Sequence, residues 1–199
     1  MDITFLYGWD GYYFLQGFWL DIKLLIANAS PVPIIICFIV SLALLLFIER
    51  KRLRFGSIVY SIIAALYLTF LLTVTVFGRT GGNTSAWNQI FLTYERALAG
   101  DDASKLDILY NIVLYVPVGL LIFRNKSTNV DIIILASMPL AIELVQLITT
   151  RGMFELTDVI NNFIGGMIGL GIARLTAKLY RLIKDRIAKR KDGQVERAE

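Results

Sequence analysis

Histidine is missing from this 199-residue chain, and cysteine occurs once, at Cys37. The first absence removes the commonest general base and the commonest metal ligand. A zinc hydrolase or a His-based triad enzyme therefore has nothing to stand on, and no metal or other cofactor is expected. The second absence excludes an intrachain disulfide framework. Charge is scarce as well: 18% of residues are charged against 56% hydrophobic, and mean hydropathy is +0.64. A soluble domain of this length does not carry so little charge in such long apolar runs. The formal net charge of +4 does not point to nucleic acid, because the basic residues crowd beside those runs.

What is present is a series of apolar runs. Residues 12–28 place Leu15, Phe18, Ile22 and Leu25 at helical spacing, with Gln16, Asp21 and Lys23 opposite and Tyr12, Tyr13 and Trp19 as interface aromatics. Two charges in mid-segment favour a helix lying in the interface, with a re-entrant hairpin as the alternative. The N-terminus lacks the basic stretch of a cleavable signal peptide, which predicts an uncleaved chain. Five longer runs follow, at about 31–48, 57–77, 106–123, 130–149 and 159–180. At about 1.5 Å per residue each can cross a hydrocarbon core of about 30 Å. Pro117 and Pro139 fall inside two of them and predict kinks.

Lys and Arg counts set the expected orientation. Fourteen basic residues fall in 49–56, 124–129 and the tail after the fifth run, and five fall in the other three segments. The positive-inside rule then gives an all-α membrane protein of five transmembrane helices, N-terminus out and C-terminus in. Arg174, near the inner end of the fifth run, is expected to snorkel. The tail keeps Leu175, Leu179, Leu182 and Ile183 at helical spacing, as a helix along an anionic surface or as a solvated stop-transfer tail. In the outer loop, Trp87, Ile90, Phe91 and Tyr94 are spaced for a short surface helix. With no repeat or low-complexity segment, residues 1–199 read as one multi-pass domain, with 1–30 an outer interfacial segment and 178–199 a basic cytoplasmic tail.

This topology gathers polar residues at one depth. Arg79 ends the second run, Asp107 and Asn111 open the third, and Glu143 and Gln146 lie near the end of the fourth. Arg151 sits in the link, and Asp158 and Asn162 open the fifth. The pairs Asp107/Asn111, Glu143/Gln146 and Asp158/Asn162 are spaced three or four apart, so each shares a helix face. A carboxylate this far inside a span is costly unless it is paired, hydrated or functional. One reading is an interhelical hydrogen-bond network, with Arg79 or Arg151 neutralising Glu143 and Asp158 acting as N-cap. The other is a polar pocket open to the outer surface. Gly165, Gly169 and Ala173 form a small-residue stripe suited to close helix packing.

The ordered series Asp107–Asn111–Pro117–Gly119, Glu143–Gln146, Arg151 and Asp158–Asn162–Gly165 resembles the VanZ-like family of bacterial membrane proteins, over about residues 58–173. Tyr115 replaces the usual Phe two residues before the motif proline, and the neighbouring Asn161 leaves the motif Asn placed on Asn162 by spacing. The resemblance implies an accessory role in resistance to teicoplanin and related lipoglycopeptides in a Gram-positive-type cell membrane.

Three functional classes follow. A non-enzymatic factor would use the pocket to bind an envelope lipid, a lipid-anchored envelope molecule or the antibiotic. An intramembrane enzyme would use Glu143 or Asp158 as general base while Arg79 and Arg151 hold a phosphate or carboxylate, although no nucleophile motif supports it. A small transporter of five spans per chain would line its path as a homo-oligomer.

Overall fold

The computed structural model describes residues 11–50, 55–79, 91–123, 128–151 and 154–195. These form seven α-helices: α1 (Gly11–Asn28), α2 (Pro31–Glu49), α3 (Phe55–Leu72), α4 (Leu92–Leu98), α5 (Asp102–Ile122), α6 (Thr128–Ile148) and α7 (Leu156–Val195). A π-helical turn, Thr73–Phe77, prolongs α3. Five helical segments are long and apolar enough to cross a membrane: Pro31–Glu49, Phe55–Phe77, Asp102–Ile122, Thr128–Ile148 and Leu156–Ile187. They follow the apolar runs closely. Trp87 and Ile90 lie outside the described residues, and α4 begins just after Phe91.

Burial follows the logic of a hydrocarbon solvent. Ser41, Ser57, Ser61, Thr69, Thr73 and Thr75 are buried, while Ile35, Ile39, Ile63, Leu66, Ile133 and Ile168 face outward. Where lipid surrounds the helices, apolar side chains gain nothing by leaving it, so the interior goes to small and hydrogen-bonding residues. Of the five spans α2 is the least buried, with Ser41 its one buried residue among those described.

The tightest seam joins α5 to α7. A methyl group on Gly165 would strike the Ile112 carbonyl, one on Gly169 the Val116 carbonyl, and one on Gly119 the Gly166 carbonyl. The expected stripe thus lets two backbones touch at Gly165 and Gly169. Pro117 and Pro139 both lie inside their helices. Pro117 interrupts the hydrogen-bond ladder of α5, and close by the Tyr67 and Tyr60 hydroxyls of α3 donate to the Leu114 and Leu121 carbonyls at 2.5 and 2.7 Å.

The two ends of the bundle differ. At the basic end, the Arg174 guanidinium donates to buried Asp131 at 3.0 Å, so Arg174 ties α7 to α6 rather than only reaching for the interface. Past it, α7 runs on through the tail without a break, about 60 Å from first residue to last. At the opposite, acidic end, α1, the π-helical turn, α4 and the ends of α5, α6 and α7 come together.

Candidate functional site

The acidic end is organised by the π-helical turn. Its wider winding closes with Gly78 N–H on the Thr73 carbonyl at 2.7 Å, and like any helix end it leaves late carbonyls without intrahelical partners. Those carbonyls take side chains from the far side of the bundle. Gln146 Nε2 donates to Thr75 O at 2.7 Å, and one Arg151 nitrogen donates to Val76 O at 3.3 Å and Phe77 O at 3.1 Å. Arg151 is brought back by a sharp turn at Thr150, whose φ of 55° is left-handed, and by its own N–H on Gln146 O at 2.9 Å. Gly78 is pressed against the Leu25 backbone of α1, where a side chain would not fit, and Arg79 follows directly.

On the other side, α4 is followed by Gly100, with φ +100°. The chain reverses there, and Asp101 caps α5 by accepting from Ala103 N–H at 3.2 Å and Ser104 Oγ–H at 2.6 Å. The Ser104 bond is the main cause that holds the Asp101 carboxyl below its usual pKa. One and two turns later α5 presents Asp107, Tyr110 and Asn111. Asn111 Nδ2 donates to Asp158 Oδ1 at 2.7 Å, joining α5 to α7.

Glu155 is the residue the sequence did not single out. It precedes the first residue of α7 and so occupies the cap position expected of Asp158, which instead lies in the first turn. There a carboxylate still suits the positive end of the helix dipole. The Glu155 carboxylate accepts from Thr93 at 2.5 Å and Thr157 at 3.3 Å. Its backbone N–H donates to Glu143 Oε2 at 3.2 Å. Glu143 is only 2% exposed, and among the described residues no guanidinium lies within ion-pair distance of it. An N–H dipole, not Arg79 or Arg151, is its nearest compensation.

α4 is fastened once more by Tyr94, whose hydroxyl donates to Asn161 Oδ1 at 2.6 Å. Burial, with a smaller contribution from the Asp158 charge, raises the Tyr94 pKa above its usual value, so the phenol remains a donor. Asn161 therefore has a structural partner, whereas Asn162 is buried with its Oδ1 unpartnered among the described residues.

These groups frame two cavities. The first, about 450 Å³, is lined by Asp21, Asp107, Glu155 and Asp158, by Arg79, Thr93, Tyr110 and Asn111, and by the apolar Ile22, Leu24, Leu25, Val74 and Leu114. Of the sequence-expected residues it contains Arg79, Asp107, Asn111 and Asp158. Glu143 touches it only through Glu155, while Gln146 and Asn162 do not line it. Asp21, read from sequence as the polar side of an interfacial helix, is part of its wall. The second cavity, about 440 Å³, is lined by Arg79 and Arg151 with Asn28, Ser30, Thr149, Thr150, Pro33 and Phe77. Arg79 belongs to both. Among the described residues no three acidic side chains converge tightly enough to hold a metal ion.

A family model described as VanZ/LLP1 matches residues 57–177. The chain is similar to Protein VanZ of Enterococcus faecium, 25% identical over 126 residues that cover 62% of this chain and 78% of that protein. No solved structure matches.

Proposed function

Because the chain belongs to the VanZ/LLP1 family, we propose that it is a cell-membrane factor, N-terminus out and C-terminus in, that contributes to resistance to teicoplanin-type lipoglycopeptides. In this reading the acidic end faces outward, and its cavity binds the head of an envelope lipid or of the lipidated antibiotic itself. The observation that supports it is the 450 Å³ cavity, where carboxylates on α1, α5 and α7 meet an apolar wall of Ile22, Leu24, Leu25 and Leu114. A polar head with an attached chain needs both surfaces, and a cavity at the edge of the membrane offers them together.

Binding without chemistry fits the residues best. The carboxylates are spread around the wall, from α1, α5 and the start of α7, rather than gathered at one point. The test is teicoplanin susceptibility in cells whose resistance depends on this protein, comparing wild type with Asp107→Asn and Asp158→Asn at equal membrane abundance. A fall in the inhibitory concentration of about fourfold or more is expected. Unchanged susceptibility in both variants would sink the proposal.

A further inference from the structure

The two cavities at the acidic end carry opposite charge and share one residue. In the first, four carboxylates outnumber one guanidinium. In the second, Arg79 and Arg151 both line the wall, with no acidic residue among the lining. Among the described residues no close ion pair relieves either imbalance. The described residues provide no acidic partner within ion-pair distance of Arg79 or Arg151. The single nitrogen that Arg151 gives to Val76 and Phe77 fixes the direction of the group, and its other guanidinium donors have no partner among the described residues. Like charges held beside one empty space repel, and an anion placed between them turns that repulsion into paired charge-assisted hydrogen bonds. Carboxylates around a neighbouring space favour an ammonium for the same reason.

From this complementarity, and resting on the proposed function above, we infer that the site takes a zwitterionic head group. Its phosphate or carboxylate lies between Arg79 and Arg151, and its ammonium lies among Asp107, Glu155 and Asp158. Arg79, belonging to both walls, stands between the two charges. The preferred ligand class is therefore an amine-bearing anion on a lipid chain, a phosphoethanolamine head or an amino-acid-type zwitterion, over a purely anionic glycerol phosphate. Arg79 works as the divider: with it neutralised, the anion loses one of its two clamps and the ammonium loses a competitor.

The experiment uses the purified full chain in detergent and measures retention of phosphatidylethanolamine, phosphatidylglycerol and phosphatidylcholine of matched chains by native mass spectrometry. O-phosphoethanolamine, ethanolamine and inorganic phosphate serve as soluble competitors. Phosphatidylethanolamine is expected to bind about tenfold more tightly than phosphatidylglycerol, and O-phosphoethanolamine to displace it where neither ethanolamine nor phosphate alone does. Arg79→Gln should lower that affinity about tenfold, as befits loss of one charge-assisted contact. Asp107→Asn should lower affinity for phosphatidylethanolamine and leave phosphatidylglycerol unaffected. Equal binding of the two lipids, with both displaced by teicoplanin, would overturn the zwitterion assignment while the lipid-or-antibiotic cavity stands. No binding of any lipid or of teicoplanin would remove both. Arg79 makes no hydrogen bond or ion pair among the described residues, so its replacement should fold, and an unchanged melting temperature confirms that the readout is binding.

Discussion

Gln146 and Thr75 are joined side chain to backbone across 2.7 Å, which fastens the end of α6 to the π-helical turn that follows α3. Gln146 is 1% exposed, and its Oε1 has no partner among the described residues, so the contact rests on one donor. Gln146→Leu should cost about 1–2 kcal/mol, the penalty for stranding a buried carbonyl, and lower the melting temperature in detergent. Gln146→Glu should cost more, because a carboxylate turned toward Thr75 O offers an acceptor to an acceptor. A residue needed only for ligand contact would leave the melting temperature unchanged.

The α5–α7 seam gives a sharper test. Gly119→Ala, Gly165→Ala and Gly169→Ala each put a methyl group into a neighbouring backbone carbonyl that has no rotamer to give way. Each should cost about 3 kcal/mol or more, at or beyond the usual range for overpacking. Gly171→Ala, two residues from Gly169 on the same helix, meets nothing and should stabilise by up to about 1 kcal/mol through helix propensity. Thermal unfolding of the four variants side by side settles it.

At the basic end, Arg174→Met would leave buried Asp131 without its cation, and Asp131 Oδ1 already lacks a partner among the described residues. A loss of about 3 kcal/mol is expected, the lower end for a broken buried pair, since Arg174 itself is partly exposed. Adding Asp131→Leu should recover most of it. A double variant no better than the single would show that the pair does not act as a unit.

Thr150 holds a left-handed backbone that costs a β-branched residue about 1–2 kcal/mol. Thr150→Gly removes that strain but adds about 1 kcal/mol of unfolded-state entropy. The net gain should be small, about 0.5 kcal/mol, and the Arg151 contacts should persist. Thr150 also lines the second cavity, so affinity measured alongside stability separates relief of strain from loss of a wall contact.

Asp101 supplies the pH dependence. Its carboxyl is held below the ordinary value of 3.8, chiefly by Ser104. A depressed folded pKa means that the unfolded chain binds the proton first as pH falls. The stabilisation is then complete above the ordinary value and disappears as pH drops through the folded one. Asp101→Asn should flatten that part of the acid-stability curve and change nothing at neutral pH that depends on titration.

The sequence made the spans legible because lipid imposes a long apolar run on each, and it made Gly165 and Gly169 legible because close backbones demand small residues at helical spacing. It also placed Arg79, Asp107, Asn111 and Asp158 at one end, since i, i+4 spacing and topology suffice for that. Glu155 and Thr93 escaped it. A glutamate in a polar link and a threonine in a loop-borne helix look solvated until the chain folds back over them. Asp21 was visible but assigned to water, because a charge on an amphipathic helix carries no mark of which polar surface it will meet. Asp131 and Arg174 are 43 residues apart, and no local pattern links them. The second cavity was equally hidden: Arg79, just past the loosely wound turn Thr73–Phe77, and Arg151 share its wall from distant parts of the chain.

That looser winding sets a phase. A π-helical turn holds one residue more than the α-helical turn it replaces, and one residue is worth about 100° of rotation around the axis. If Thr73–Phe77 were shortened by one residue and rewound as α-helix, everything beyond would swing by about that angle. Gly78 would turn from Leu25 and Arg79 from both cavities, with no side chain altered. The aim of the shared arginine is thus encoded by a residue count rather than by a residue identity, and a one-residue deletion there should disarm the site more thoroughly than most substitutions within it.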